Sequence, residues 1–161
     1  MNKNNFLPKE PSTIENKKQS CTNRVIIRSS GIYDILVMLP FAIPGVSGLV
    51  MTKIQALHNA LMLSGSLVDF SPFHLLFVNI MALVSIMWGV LRVRTPSVKY
   101  GLYDTAARLA IGSTMLLYLL KYNITEIMWI FLVTEFAWAV LQINGYFLKR
   151  DNGLKPANLE G

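Results

Sequence analysis

No charged residue interrupts the chain between Ile35 and Thr52, and none interrupts it between Leu75 and Leu91. A helix crosses a bilayer with about 20 predominantly apolar residues, because in lipid each backbone amide must be bonded inside its own segment. Runs of this length and purity constrain the chain to membrane-spanning helices. The bulk composition agrees: 53% of the residues are hydrophobic and 15% are charged, against about 25% charged in soluble domains. The expected fold is an all-α membrane protein, a four-helix transmembrane bundle with a short interfacial helix in its first outer loop.

The spans are placed at 32–51, 74–92, 103–121 and 126–148, within a membrane domain of residues 31–148. In the first, Ser29 and Ser30 are suitable N-caps, and Pro40 and Pro44 predict a kink inside one continuous helix. Residues 54–63 alternate at helical spacing but are too short to cross, which gives the interfacial helix. Ser71-Pro72 reads as a cap followed by a first-turn proline for the second span. The third span is charge-free only from Leu109 to Leu120, so Asp104 and Arg108 must enter the interfacial zone. In the fourth, from Ile127 to Leu148, Glu135 is the only charge. Residues 1–30 are basic and polar and are expected to be a disordered tail, and 149–161 form a second polar tail.

Lysine and arginine counts set the orientation. The two tails and the 92–102 loop carry twelve basic residues, the opposite loops carry Lys53 and Lys121, and Arg108 falls within a span. This positive-inside bias puts both termini in the cytoplasm and favours an even number of spans. The net charge of +6 is distributed at the ends of apolar runs and forms no basic stripe, which argues against nucleic acid as a partner. The single cysteine, Cys21, rules out an internal disulfide or a CxxC pair, and His58 and His74 lack ligand spacing, so no metal or cofactor is expected. Asn123-Ile124-Thr125 matches the glycosylation acceptor pattern on the outer side.

Glu135 is the sharpest candidate for chemistry. It sits near the middle of its span, roughly 16 Å deep at 1.5 Å per residue, where a charge costs about 3 kcal/mol to insert and must pair or take a proton. Trp138 and Gln142 follow at i+3 and i+7, and the three make a candidate proton- or cation-binding face. Asp34, Asp104 and Arg108 gather near the inner interface as ion-pair candidates; the alternative makes Arg108 a lipid-phosphate anchor to which Arg92, Arg94 and Lys99 add, although a solvated positive-inside loop accounts for those three without it. Gly31-Ile32-Tyr33-Asp34 and Gly101-Leu102-Tyr103-Asp104 are near repeats at equivalent ends of two spans. Interfacial tyrosine anchoring is the simplest account of them.

The polar N-terminal tail, the run Ile43 to Leu61 (IPGVSGLVMTKIQALHNAL), the longer first outer loop and three further helices resemble the small four-helix DoxX-like bacterial membrane proteins over residues 31–148. The Gly-x-x-Lys signature of that family's first helix has no clear counterpart here, the nearest pair being Gly48 and Lys53. The resemblance implies a bacterial inner-membrane location and, for some members, an accessory role in membrane redox complexes, and it carries over no site residue. Without a catalytic motif, the expected activity is that of a non-enzymatic accessory or envelope-associated component. The bilayer is its first partner, with a membrane protein or a second copy of the chain as the other. The alternative is a small proton-coupled exporter built on Glu135.

Overall fold

The computed structural model describes residues 11–151. These form five helices: α1 (Pro11–Ala42), α2 (Val46–Ala60), α3 (Pro72–Arg94), α4 (Val98–Tyr122) and α5 (Met128–Asp151). Helix α1 packs most extensively on α3 and also on α5, and α4 packs on α5. Three of the helices are long and apolar enough to cross a membrane, over Thr22–Ala42, Pro72–Arg94 and Met128–Gly145.

The expected first span is corrected. Residues 32–51 are not one kinked helix, because the chain breaks at 43–45 between α1 and α2. Pro40 is tolerated inside α1, whereas Pro44 stands next to Gly45, whose φ of 85° lies in the left-handed region that ends a helix. The spanning stretch of α1 therefore starts earlier, and Ser29 and Ser30 lie inside the helix and do not cap it. The expected short helix after the first span is present, but it starts at Val46 and includes the last residues of that expected span.

The expected disorder of residues 1–30 is corrected for 11–30, which belong to α1. Pro11 stands at the first helical position, where its missing N–H is no loss, and extending an existing helix avoids the cost of nucleation. Residues 1–10 and 152–161 of the two expected tails lie outside the described residues. The start of α3 is as read: the Ser71 hydroxyl accepts from the His74 amide at 3.4 Å, the His74 ring nitrogen accepts from the Ser71 amide at 3.4 Å, and Pro72 follows the cap.

Burial is inverted relative to a protein in water. The buried set is mostly small or polar: Asn23, Ser30, Ser47, Asn79, Arg92, Asp104, Thr105, Arg108, Thr125 and Gln142 outnumber the buried apolar residues. Large apolar side chains face outward, Met87 and Ile130 at 68% exposure and Leu120 at 73%. An apolar exterior of this extent would drive association in water and is at rest in lipid tails, where small and polar residues instead hold helices together. The chain is an integral membrane protein.

Two devices place the helices. At the α1–α3 crossing, Gly31 and Gly89 face each other so closely that a Cβ on either would stand 2.8 Å from the other's carbonyl oxygen. At the far end of the bundle the loops are stitched by a parallel bridge between Ser66 and Ile124, with Ser66 N–H donating to Asn123 O at 2.9 Å and Thr125 N–H to Ser66 O at 3.2 Å. Gly65, at φ 89°, sits against the Ile124 carbonyl, where no side chain fits. Asn79 donates to Phe41 O at 2.7 Å and to Ser47 Oγ at 2.9 Å, so it satisfies a carbonyl at the end of α1 and ties α3 to the start of α2.

Candidate functional site: a buried ionic cluster

On α4, the positions that face inward read Gly101, Asp104, Thr105, Arg108 and Gly112, a stripe at spacings of three and four. Leu102, Tyr103, Leu109 and Ile111 point outward. The helix is thus amphipathic in the sense opposite to a soluble one, with its charges inside. Asp104 and Arg108 are each 3% exposed, and Arg108 Nε donates to Asp104 Oδ2 at 2.9 Å across one turn.

From α3, Arg92 enters the same space with no exposure at all. Its Nη1 donates to Asp104 Oδ2 at 2.6 Å and to Ser30 Oγ at 2.9 Å, and its Nη2 pairs with Asp34 Oδ2. Arg108 Nη2 reaches the same Asp34 oxygen at 2.7 Å. Each arginine therefore bridges both aspartates, closing a four-charge square across α1, α3 and α4. Arginine is suited to this corner role because its planar fork carries several fixed donors and stays charged at any accessible pH.

The square is braced on each side. Trp88 Nε1 donates to Asp104 Oδ1 at 2.8 Å, and its ring lies 5.9 Å from the Arg92 guanidinium carbon. Gln142 of α5 donates to Asp104 Oδ2 at 2.7 Å and to Ser30 Oγ at 3.0 Å, while its own oxygen accepts from Thr105 at 2.9 Å. Glu135 completes the set by accepting from Arg108 Nη1 at 2.8 Å. Arg108 thus spends Nε, Nη1 and Nη2 on three different carboxylates. Of the buried side-chain polar atoms, only Arg92 Nε lacks a partner among the described residues.

Three carboxylates meet two guanidiniums here, a formal surplus of one negative charge. The side chains of Asp34 and Glu135 keep 18% and 19% exposure, whereas those of Arg92, Asp104 and Arg108 keep 4% or less. The surplus is thus carried where the cluster opens. Such a site can hold helices in register, and it can take up a proton or a small cation at its open side.

The structure brings Asp34, Asp104 and Arg108 together, and it joins Glu135 and Gln142 to them through Arg108 and Asp104. Trp138 goes elsewhere, packing its ring on Tyr33 of α1 at 5.8 Å. Glu135 lies seven residues into α5, about 10 Å along its axis, and near the middle of the apolar stretch Met128–Gly145. The two Gly-x-Tyr-Asp segments do more than tyrosine anchoring accounts for: both glycines are buried at helix contacts, and both aspartates are corners of the square. Tyr103, between Gly101 and Asp104 in sequence, is 66% exposed.

Two members were misread from sequence. Arg92 ends an apolar run and so looks like a topology charge, and Trp88, one turn before it, is by sequence alone an ordinary aromatic-belt residue near a span end. The available signal was spacing, since Trp88 and Arg92 are four apart on one face with Gly89 beside them. At the opposite end, His58 Nδ1 bonds Thr125 Oγ1 at 2.8 Å, and Thr125 is 3% exposed, so the glycosylation pattern is engaged in packing.

No family model, curated protein or solved structure matches the chain. Function must be read from the cluster itself.

Proposed function

We propose that the chain is a four-span protein of the bacterial inner membrane with both termini cytoplasmic, acting as a non-enzymatic accessory or envelope-associated component. The observation supporting this reading is the closed Asp34–Arg92–Asp104–Arg108 square, whose charges are directed at one another and at neighbouring helices. A cluster spent on internal pairing makes a rigid, defined bundle, which is what a docking subunit in a membrane complex needs.

Helix α4 is the fourth span in this reading. Its 25 residues extend about 37 Å, and the two charges in its middle are turned inward to partners, which removes most of the cost that average hydropathy assigns to them. The DoxX-like resemblance is in keeping with this architecture. A full-length tagged chain solubilised from its native membrane is expected to retain a membrane-protein partner in constant ratio. Purification as a single homogeneous species at every mild detergent condition would argue against the accessory role.

The surplus carboxylate favours a second reading, a small proton-coupled exporter in which Glu135 alternates between its pairing with Arg108 and a proton. Uptake of a cationic dye into vesicles under an imposed pH gradient tests it. Absent uptake, or uptake indifferent to Glu135→Gln, rules it out.

A further inference from the structure

With Arg92 turned into the core, the basic residues left on the surface define a different feature. At the end of the bundle where α3 gives way to α4, Arg24, Val25 and Arg28 of α1 face Thr95, Pro96 and Ser97 across an open cleft of about 460 Å³. That volume lies within the range of about 300–1,000 Å³ typical of small-ligand sites. Arg24 and Arg28 are one turn apart and exposed, and neither has an ion-pair partner among the described residues. The facing wall carries no carboxylate. It ends in Ser97, the N-cap of α4, whose hydroxyl takes the Tyr100 amide at 3.3 Å, and it is flanked in sequence by Arg94 and Lys99.

The surface that continues from this cleft is apolar. Ile32, Leu36 and Leu39 follow Arg28 along α1 at spacings of four and three, and they are exposed at 48%, 65% and 49%. A ligand with an anionic head and long apolar tails would meet two guanidiniums at the cleft and a hydrocarbon strip above them.

We propose that this cleft binds the phosphodiester headgroup of an anionic phospholipid, with its acyl chains lying along Ile32, Leu36 and Leu39. Arg24 and Arg28 supply charge-assisted hydrogen bonds to the phosphate oxygens. The lipid source is favoured over free phosphate by the apolar strip, which free phosphate cannot use.

The test is lipid binding to the full chain in neutral detergent, read by native mass spectrometry and by thermal unfolding. Phosphatidylglycerol is compared with phosphatidylcholine, and inorganic phosphate is run at equal concentration. Phosphatidylglycerol is expected to bind selectively and raise the unfolding temperature. Removing each arginine is expected to weaken it roughly fivefold, and Arg24→Gln/Arg28→Gln about 25-fold, in line with the usual effect of a basic residue at an anionic surface. Arg24→Lys/Arg28→Lys, which keeps the charge, should retain most of the preference, and Arg94→Gln/Lys99→Gln should lose far less than the Arg24/Arg28 pair. Equal binding of the two lipids, or a preference that survives Arg24→Gln/Arg28→Gln, overturns the site. Equal loss in Arg94→Gln/Lys99→Gln assigns the effect to diffuse surface charge and overturns the cleft. Protection by inorganic phosphate equal to that by phosphatidylglycerol overturns the lipid assignment.

Discussion

Arg108→Met tests the cluster most directly, because among the described residues only Arg108 pairs with all three carboxylates. The substitution takes the formal surplus from one negative charge to two and strips each carboxylate unequally. Asp104 keeps Arg92, Gln142 and Trp88; Asp34 keeps Arg92; Glu135 loses its ion-pair partner. Breaking a buried pair on one side costs about 3–5 kcal/mol, most of it from the charge left uncompensated. Glu135→Gln removes the surplus charge while leaving an oxygen to accept from Arg108, so its cost is expected to stay below about 1 kcal/mol. In the double variant the surplus returns to one. Part of the Arg108→Met loss should therefore be recovered, with a coupling of about 1–3 kcal/mol. Reversible unfolding in bicelles, followed for the wild type, both single variants and the double, measures all four corners. Additive effects within about 0.5 kcal/mol, or an Arg108→Met cost below about 1 kcal/mol, would refute the view that these charges act as one unit.

Other consequences can be checked with the same assay. Gly31→Ala and Gly89→Ala each place a methyl 2.8 Å from backbone oxygen, which no rotamer change relieves, and each is expected to cost about 1–3 kcal/mol. Asn79→Ala leaves the Phe41 carbonyl without its side-chain donor and is expected to destabilise by about 1–3 kcal/mol, with faster proteolysis at the α1–α2 break. Reporter fusions after Lys121 and at Gly161 should read opposite sides of the membrane, and a cytoplasmic signal after Lys121 would remove α4 from the set of spans.

The two Gly-x-Tyr-Asp segments show how far sequence reasoning reaches. Their similarity marked Asp34 and Asp104 as equivalent, yet nothing in either segment says that two arginines from other helices bridge them. Glu135 and Gln142 were visible because a charge and an amide on an apolar helix must be directed inward. Trp138 had the same spacing and was assigned with them, but a large ring can be accommodated against Tyr33 without a polar partner, so spacing alone did not place it. The α1–α2 break is not legible in sequence because Pro40 and Pro44 look alike there, and the local geometry at Gly45 distinguishes them.

By itself, the sequence determined the solvent. Long charge-free runs can satisfy their backbone in lipid only as helices, and that local requirement leaves few alternatives. Only the tertiary structure decided what the charges do. Arg92 and Arg108 have the same chemistry as Arg24 and Arg28, and which pair lies buried depends on whether carboxylates from distant helices arrive within hydrogen-bonding distance.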